Sequence, residues 1–108
     1  MNDSTDLYEL VFYPKAAKEF KKLDGDQRIF VLKGLKRIQK EGMLAGQPLH
    51  GNLHNCRKLK NKKTGLRIIF MQEDNRINVI EIVAIGYRED SKVYINAGKR
   101  INIHRFQK

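Results

Sequence analysis

The segment of residues 76–85, RINVIEIVAI, constrains the fold of this chain more than any other feature of the sequence. Apolar side chains occupy both alternating sets of positions in it, whereas a strand with one solvated face alternates apolar and polar residues. Because successive side chains of a strand point to opposite faces, this strand has to be covered on both of them. The segment therefore predicts the central strand of a sheet.

The N-terminal part of the chain predicts one strand and then a helical hairpin. Residues 7–13 are rich in β-branched and aromatic side chains and favour a strand that ends at Pro14, which itself fits the first turn of a helix. The apolar stripe of this helix is Ala16, Phe20 and Leu23. Asp24 and Gln27 resemble a capping box and predict a second helix up to about Glu41. Its predicted core stripe is Val31, Leu35 and Ile38, supported by Phe30 and Leu32.

The second half of the chain predicts three strands and a closing helix. Residues 42–54 hold three Gly and one Pro, so they are interpreted as a loop. The predicted strands, joined by tight turns, are residues 56–61, 66–72 and 76–85. Asp90 and Ser91 are the expected caps of a helix through about Ile101. This order predicts an α+β domain: an N-terminal strand, a helical hairpin, a three-stranded antiparallel continuation of a twisted sheet, and a C-terminal helix.

The composition limits the chain to one small domain. Its 108 residues are expected to form a single domain over 1–108, with flexible ends at 1–6 and about 103–108. One cysteine excludes a disulfide scaffold and fits a reducing, cytoplasmic setting. No apolar run approaches the roughly 20 residues that a bilayer requires, and the first residues lack the apolar core of a secretory signal. We therefore expect no membrane contact.

Positive charge is concentrated in two parts of the chain. The sequence has 22 Lys and Arg against 12 Asp and Glu, a net charge of +10. Residues 42–72 contain no acid, and neither do the residues after Ala97. A surface sorted in this way attracts polyanions such as RNA. The residues predicted to bind RNA or phosphate are Arg57, Lys62, Lys63, Lys99 and Arg100.

Four cations and one phenol form the candidate catalytic set. Lys58 and Lys60 are two residues apart in a predicted strand and share one face, and Arg67 lies in the next strand. Arg88 follows the central strand, and Tyr94 comes six residues later. Converging cations repel one another unless an anion lies among them, and a phosphodiester backbone suits such a cluster. The spacing alone leaves open that these are separate surface cations, with Tyr94 a half-buried helix residue.

Two segments resemble a known family. RKLKNKKTGLRIIF at 57–70 and AIGYREDSKVY at 84–94 are similar to the corresponding segments of RelE-type toxins, which belong to the RelE/ParE superfamily of toxin–antitoxin modules. The resemblance extends over about residues 7–103. In RelE-type toxins a K-x-K pair, two arginines and a tyrosine carry the activity, and the matching residues here are Lys58, Lys60, Arg67, Arg88 and Tyr94.

The resemblance implies an endoribonuclease that cleaves mRNA in the ribosomal A site without a metal or other cofactor. Residues 42–72 agree, because they lack the clustered carboxylates that a two-metal nuclease requires. A metal-independent nuclease uses the ribose 2′-OH as nucleophile, with Lys60 as the expected base and Arg67 as the expected stabiliser of phosphate charge. Arg88 would hold the phosphate, and Tyr94 would stack on a base or orient the 2′-OH.

The implied partners are a small, acidic, partly disordered antitoxin encoded next door, the ribosome with its mRNA, and operator DNA through the antitoxin. Two other functions stay open. ParE-type members of the superfamily share the fold and poison DNA gyrase without the basic-plus-tyrosine set, and a non-catalytic nucleic-acid-binding module needs only the charge. A zinc or catalytic histidine site is not favoured, because one Cys and three scattered His lack ligand spacing.

Overall fold

The structure is a computed structural model that describes residues 7–87 and 92–106. These residues contain five strands and three α-helices. In chain order they are β1 (Glu9–Phe12), α1 (Pro14–Lys22), α2 (Gly25–Glu41), β2 (Gln47–Pro48), β3 (Cys56–Lys60), β4 (Leu66–Gln72), β5 (Val79–Tyr87) and α3 (Lys92–Phe106). The predicted α+β class is confirmed. The predicted caps Asp90 and Ser91, and the predicted flexible end at 1–6, lie outside the described residues.

The strands form one sheet in the order β1-β5-β4-β3-β2. β3, β4 and β5 are antiparallel neighbours, as predicted, and β1 runs parallel to β5 on its other side. β5 is buried from Val79 to Ile85, which confirms a strand covered on both faces. It begins at Val79 rather than at Arg76, because the preceding residues form the turn. There the side-chain amide of Gln72 donates to the main-chain oxygen of Ile77 at 2.9 Å.

Helices α2 and α3 cover opposite faces of this sheet. Ile68 of β4 lies against α2, since a methyl group added at Gly34 would come within 2.8 Å of its Cδ1. The preceding residue, Arg67, points to the other face, because side chains alternate along a strand. On that face Arg67 contacts Tyr94 of α3. The sheet is therefore the middle layer of the domain, and the candidate site lies on its α3 side.

The prediction that residues 42–54 form a loop is wrong in part. Two single-turn 3₁₀ helices, Gly42–Leu44 and Gly51–Leu53, flank β2, which pairs with Arg57 and Lys58 of β3. Ala45 between them is fully buried. Gly and Pro mark breaks in regular structure, but they do not reveal a strand of two residues whose pairing depends on a distant partner.

Gly46 determines how closely this segment approaches β3. Its φ is +78°, and a Cβ there would collide with the main-chain oxygen of Lys58. We expect Gly46→Ala to lower the free energy of unfolding by about 3 kcal/mol, from backbone strain and collision together. Gly51→Ala is the matched control, because its φ is +65° but no neighbouring atom lies within 4 Å of the added methyl.

For this control we expect a loss of about 1 kcal/mol, from backbone strain alone. Chemical denaturation of both variants measures the difference. Equal losses in the two would contradict the role of the close approach to Lys58 and leave only the left-handed backbone as a requirement at Gly46.

The core stripe of α2 is confirmed, but its predicted capping box is not. Val31, Leu35 and Ile38 are buried, as predicted, whereas Leu32 remains 44% exposed. Asp24 is the N-cap residue but forms no side-chain capping hydrogen bond. The amide of Gln27 donates instead to the hydroxyl of Tyr87, so this side chain ties α2 to the end of β5.

α3 is longer than the sequence indicates. It continues to Phe106 rather than ending near Ile101, so the end that was expected to be flexible from about residue 103 is helical up to Phe106. The extension has its own contacts with the sheet. The ring of His104 lies 5.0 Å from the ring of Tyr13, and its Nε2 lies 3.5 Å from the Glu81 carboxylate.

Candidate active site

One face of β3 and β4 carries three of the predicted site residues. Lys58 and Lys60 lie on either side of the buried Leu59 in β3, and Arg67 lies directly opposite Lys60 across the strand pair. The turn between the strands fixes this register. Gly65 adopts a φ of +82°, and the side-chain oxygen of Asn61 accepts two main-chain N–H groups of the turn at 2.9 and 3.4 Å.

Arg67 is a buried cation that is only 4% exposed. Its Nε donates to the main-chain oxygen of Gly65 at 3.0 Å, and its Nη1 donates to the hydroxyl of Tyr94. Among residues 7–87 and 92–106, no carboxylate forms an ion pair with it. The described hydrogen-bond partners of the guanidinium are therefore neutral groups. Within the described residues, no paired carboxylate weakens the electrostatic effect of Arg67 on the Tyr94 phenol.

Tyr94 projects from α3 onto the same cluster. The centroid of its ring lies 5.9 Å from Nζ of Lys58 and 5.5 Å from Cζ of Arg67. Burial raises the pKa of the Tyr94 phenol, but the hydrogen bond and charge of Arg67, with the charge of Lys58, outweigh burial and hold that pKa below its usual value. This phenol therefore loses its proton more readily than a free tyrosine does.

The structure brings Lys58, Arg67 and Tyr94 together and places Lys60 at their rim. Lys60 is exposed, and it reaches the cluster through its position opposite Arg67. Arg88 lies outside the described residues, so its place in the site stays a prediction.

A cleft of about 220 Å³ opens beside the cluster, next to β2. Lys58 and Lys60 line it together with Lys62 from the turn and Arg37 from α2, and none of its described lining residues is acidic. Arg37 was not identified from the sequence, because nothing in the helical pattern distinguishes it from other exposed cations of α2. Only the packing of α2 beside β3 brings it to the cleft.

The five residues predicted to bind RNA or phosphate are dispersed. Lys62 and Lys63 are exposed in the turn after β3, and Lys99 is exposed on α3. The guanidinium groups of Arg57 and Arg100 are bound by oxygen atoms of other residues and do not join the cluster. The structure therefore separates a compact cationic site from a more diffuse basic surface.

Signals for other kinds of site are weak in the described ranges. Residues 7–87 and 92–106 hold no group of three or more His, Cys, Asp or Glu side chains that could bind a metal ion. In the same part of the chain, no helix combines the length and apolar character needed to cross a membrane. Cys56 is buried in β3, where it belongs to the hydrophobic core.

The fold defines a class of protein, because it matches solved structures of RelE toxins. The free Escherichia coli toxin RelE, in a double arginine-to-alanine variant, superposes with a TM-score of 0.74 and 30% identity, covering 88% of this chain and 98% of that one. A chain of the intact E. coli RelBE toxin–antitoxin complex superposes with a TM-score of 0.65 and 26% identity, covering 74% of this chain and 95% of that one.

Sequence comparison agrees with the structures. No protein-family model matches the chain. The mRNA interferase toxin RelE of E. coli is 32% identical over 94 residues, which cover 87% of this chain and 97% of that protein. The mRNA interferase RelE of Shigella flexneri has the same identity over the same length. The chain belongs to the RelE family, which confirms the resemblance found in its sequence.

Proposed function

We propose that this protein is the toxin of a type II toxin–antitoxin system, an endoribonuclease that cleaves mRNA in the ribosomal A site and so inhibits translation. The observation that carries this proposal is the Tyr94 phenol, whose pKa is lowered and whose hydroxyl is bound by the buried Arg67 beside Lys58. A surface that only binds phosphate has no need of such a phenol. Membership of the RelE family, whose relatives are named mRNA interferases, supports the same activity.

The proposed reaction is a transesterification within the RNA strand and requires no metal. The 2′-oxygen attacks the adjacent phosphorus as it gives up its proton, and the bond from phosphorus to the 5′-oxygen breaks. The departing 5′-oxygen takes up a proton from water, which reaches this open face of the sheet. The products are a 2′,3′-cyclic phosphate and a free 5′-hydroxyl, so the enzyme has to move two protons and stabilise the extra negative charge on phosphorus.

The geometry suggests a division of these tasks. Lys60, exposed at the rim, accepts the proton of the 2′-OH when its amine is neutral, and Lys58 neutralises the phosphate. The burial of Arg67 changes the role suggested by the sequence: at 4% exposure it acts through Tyr94, by holding the phenol and lowering its pKa. Tyr94 orients the 2′-OH. From the resemblance, Arg88 holds the phosphate and assists the departing oxygen.

We expect cleavage to depend on the ribosome. The site lies on an open face, and a small open site cannot by itself align the 2′-OH with the departing oxygen. Primer extension on an mRNA in a reconstituted translation system is expected to show cuts at A-site codons, with few cuts when ribosomes are left out. Rapid cleavage of a short unstructured RNA without ribosomes would contradict this dependence.

The same assay separates the competing functions. A ParE-like toxin would leave the mRNA intact and impair supercoiling by gyrase. A non-catalytic nucleic-acid-binding module would retain RNA without cutting it. Either result would overturn the proposed endoribonuclease.

The proposed partner is a cognate antitoxin. E. coli RelE has been solved in the intact RelBE complex and, as the double variant, with an antitoxin RelBc peptide. A net charge of +10 favours an acidic chain as the partner here, because such a chain is steered to the toxin and relieves its self-repulsion. It would silence the enzyme either by covering residues 57–70 or by displacing α3, and it would bring operator DNA to the complex in the cytoplasm.

A further inference from the structure

A bidentate ion pair joins α1 and α3 beside β5. Nη1 of Arg100 in α3 lies 2.9 Å from Oε1 of Glu19 in α1, and Nη2 lies 2.8 Å from Oε2. The side chains are only 12% and 27% exposed, respectively. Fork-to-fork pairs of this kind fix orientation as well as distance, because both hydrogen bonds have to be linear at once.

Both side chains also bind the main chain of β5. Nη1 of Arg100 donates to the oxygen of Val83 at 2.9 Å, and the N–H of Ile85 donates to Oε1 of Glu19 at 3.0 Å. The neighbouring strand β1 ends before this point, since its last register partner in β5 is Ile82. The ion pair therefore takes the place of a strand on this edge of β5, and we call it the Glu19–Arg100 clasp.

A β-bulge explains why β5 needs these partners. In the register with β4, Phe70 pairs with Ile82 and Ile69 pairs with Ala84, which leaves Val83 as an extra residue. A bulge leaves the extra residue out of the ladder and bends the strand. Buried main-chain groups have to find partners, and here side chains from α1 and α3 provide them.

We infer that Glu19 and Arg100 are positioning residues, which fix α3 on the sheet so that the hydroxyl of Tyr94 meets Arg67. Arg100 follows Tyr94 by six residues, or about 9 Å along a helix. The buried residues of α3 supply apolar packing, which is not directional and does not by itself fix a helix in one register. The clasp supplies direction. Its importance for catalysis rests on the proposed function of Tyr94.

The test is a spectroscopic titration of the tyrosines. The chain has four tyrosines, and the component absent from Tyr94→Phe belongs to Tyr94. In the unaltered protein we expect that component to titrate below the usual tyrosine range, because Arg67 binds the phenol. In Arg100→Ala we expect it to move up toward the usual tyrosine range. Glu19→Gln, which keeps an oxygen for the N–H of Ile85 but loses the ion pair, is the milder variant and should move it part of the way.

Arg76→Ala is the matched control. Arg76 also forms an ion pair, with Glu73 at 3.2 Å, but it lies in the turn before β5 and 54% of its side chain is exposed. We expect no change in the Tyr94 titration. An unchanged titration in both Arg100→Ala and Glu19→Gln would overturn the inference, whereas a shift in the folded Glu19→Gln protein would support it even if Arg100→Ala failed to fold.

A reversed pair tests the contacts with β5. Exchanging the two residues, in a Glu19→Arg and Arg100→Glu double variant, keeps the ion pair, but a guanidinium cannot accept from Ile85 and a carboxylate cannot donate to Val83. We expect the Tyr94 pKa in this variant to be raised toward the usual tyrosine range, as in Arg100→Ala. A Tyr94 pKa as low as in the unaltered protein would show that the ion pair alone positions α3, and it would overturn the role of the clasp as a substitute strand.

Cleavage assays on the same variants test the proposed function separately. We expect Arg100→Ala to slow A-site cleavage by about tenfold or more. Without the clasp α3 can shift on the sheet, and even a small misplacement of the Tyr94 hydroxyl reduces the rate strongly. If the Tyr94 titration moves and cleavage does not, the clasp is upheld and Tyr94 is removed from the mechanism. If cleavage falls while the titration is unchanged, Arg100 acts on the RNA and positioning is refuted.

Discussion

Lys60→Ala is expected to slow A-site cleavage of mRNA on the order of 10²-fold, the typical contribution of one well-placed acid–base group. Lys60 is exposed at the end of β3, directly opposite Arg67, so its loss removes neither core packing nor a described ion pair. The stability of the variant should therefore stay close to that of the unaltered protein. Single-turnover cleavage on programmed ribosomes measures the chemical step.

Lys60→Arg separates proton transfer from charge. Arginine keeps the positive charge at this position but does not give up its proton in proteins, so it cannot serve as a base. We expect cleavage by Lys60→Arg to remain as slow as by Lys60→Ala. Recovery in Lys60→Arg would assign Lys60 to phosphate neutralisation. Lys18→Ala, the loss of one exposed charge on α1, is the control and should cleave normally.

The central strand was predictable because it is buried on both faces of the sheet. Ala84 and Ile85 are adjacent and pair regularly with β4, so their side chains point to opposite faces, yet both are buried. Helices on both sides of the sheet favour apolar residues at both alternating sets of positions, and the sequence of β5 shows them at nearly every position, Glu81 excepted. The strand β2 was not predictable for the opposite reason. Its two residues are exposed, and its pairing depends on the close approach of Gly46 to Lys58.

The same distinction applies to the site. Lys58, Lys60 and Arg67 could be placed on one face from the alternation of a strand and a tight turn, which are local properties. The ion pair of Arg100 could not be predicted, because a sequence shows the sign of a charge but not which residue it pairs with. Glu19 is 81 positions away and meets Arg100 only after α1, β5 and α3 have assembled.

The burial of Arg67 is a further feature that the pattern does not contain. A lysine or arginine on a strand of this kind is ordinarily exposed, and the sequence indicated a cation facing the substrate phosphate. Burial arises because α3 lays Tyr94 over the guanidinium and Gly65 accepts its Nε–H. Tyr94 thus lies between this cation and the solvent. The effect of Arg67 on cleavage should therefore depend on Tyr94.

A double-mutant cycle on Arg67 and Tyr94 is expected to show strong coupling. Arg67→Met removes the charge and the hydrogen bond while keeping much of the side-chain length, and Tyr94→Phe removes only the hydroxyl. We expect each to slow A-site cleavage on the order of 10²-fold, since each removes the same bound phenol from the transition state. The double variant should then be about as slow as either single one, because residues that act as a unit lose their effect together.

If Arg67 and Tyr94 acted independently, the double variant would lose more cleavage activity than either single variant. If Arg67 also touched the phosphate directly, the two losses would multiply to on the order of 10⁴-fold, and the role of Arg67 through Tyr94 would be wrong. Tyr8→Phe is the control for the loss of a hydroxyl, because Tyr8 lies against Gly42, outside the cluster. It should cleave at the unaltered rate. Thermal unfolding of all four variants has to show a folded population at the assay temperature, so that the lost cleavage reports on the phenol and its cation rather than on the fold.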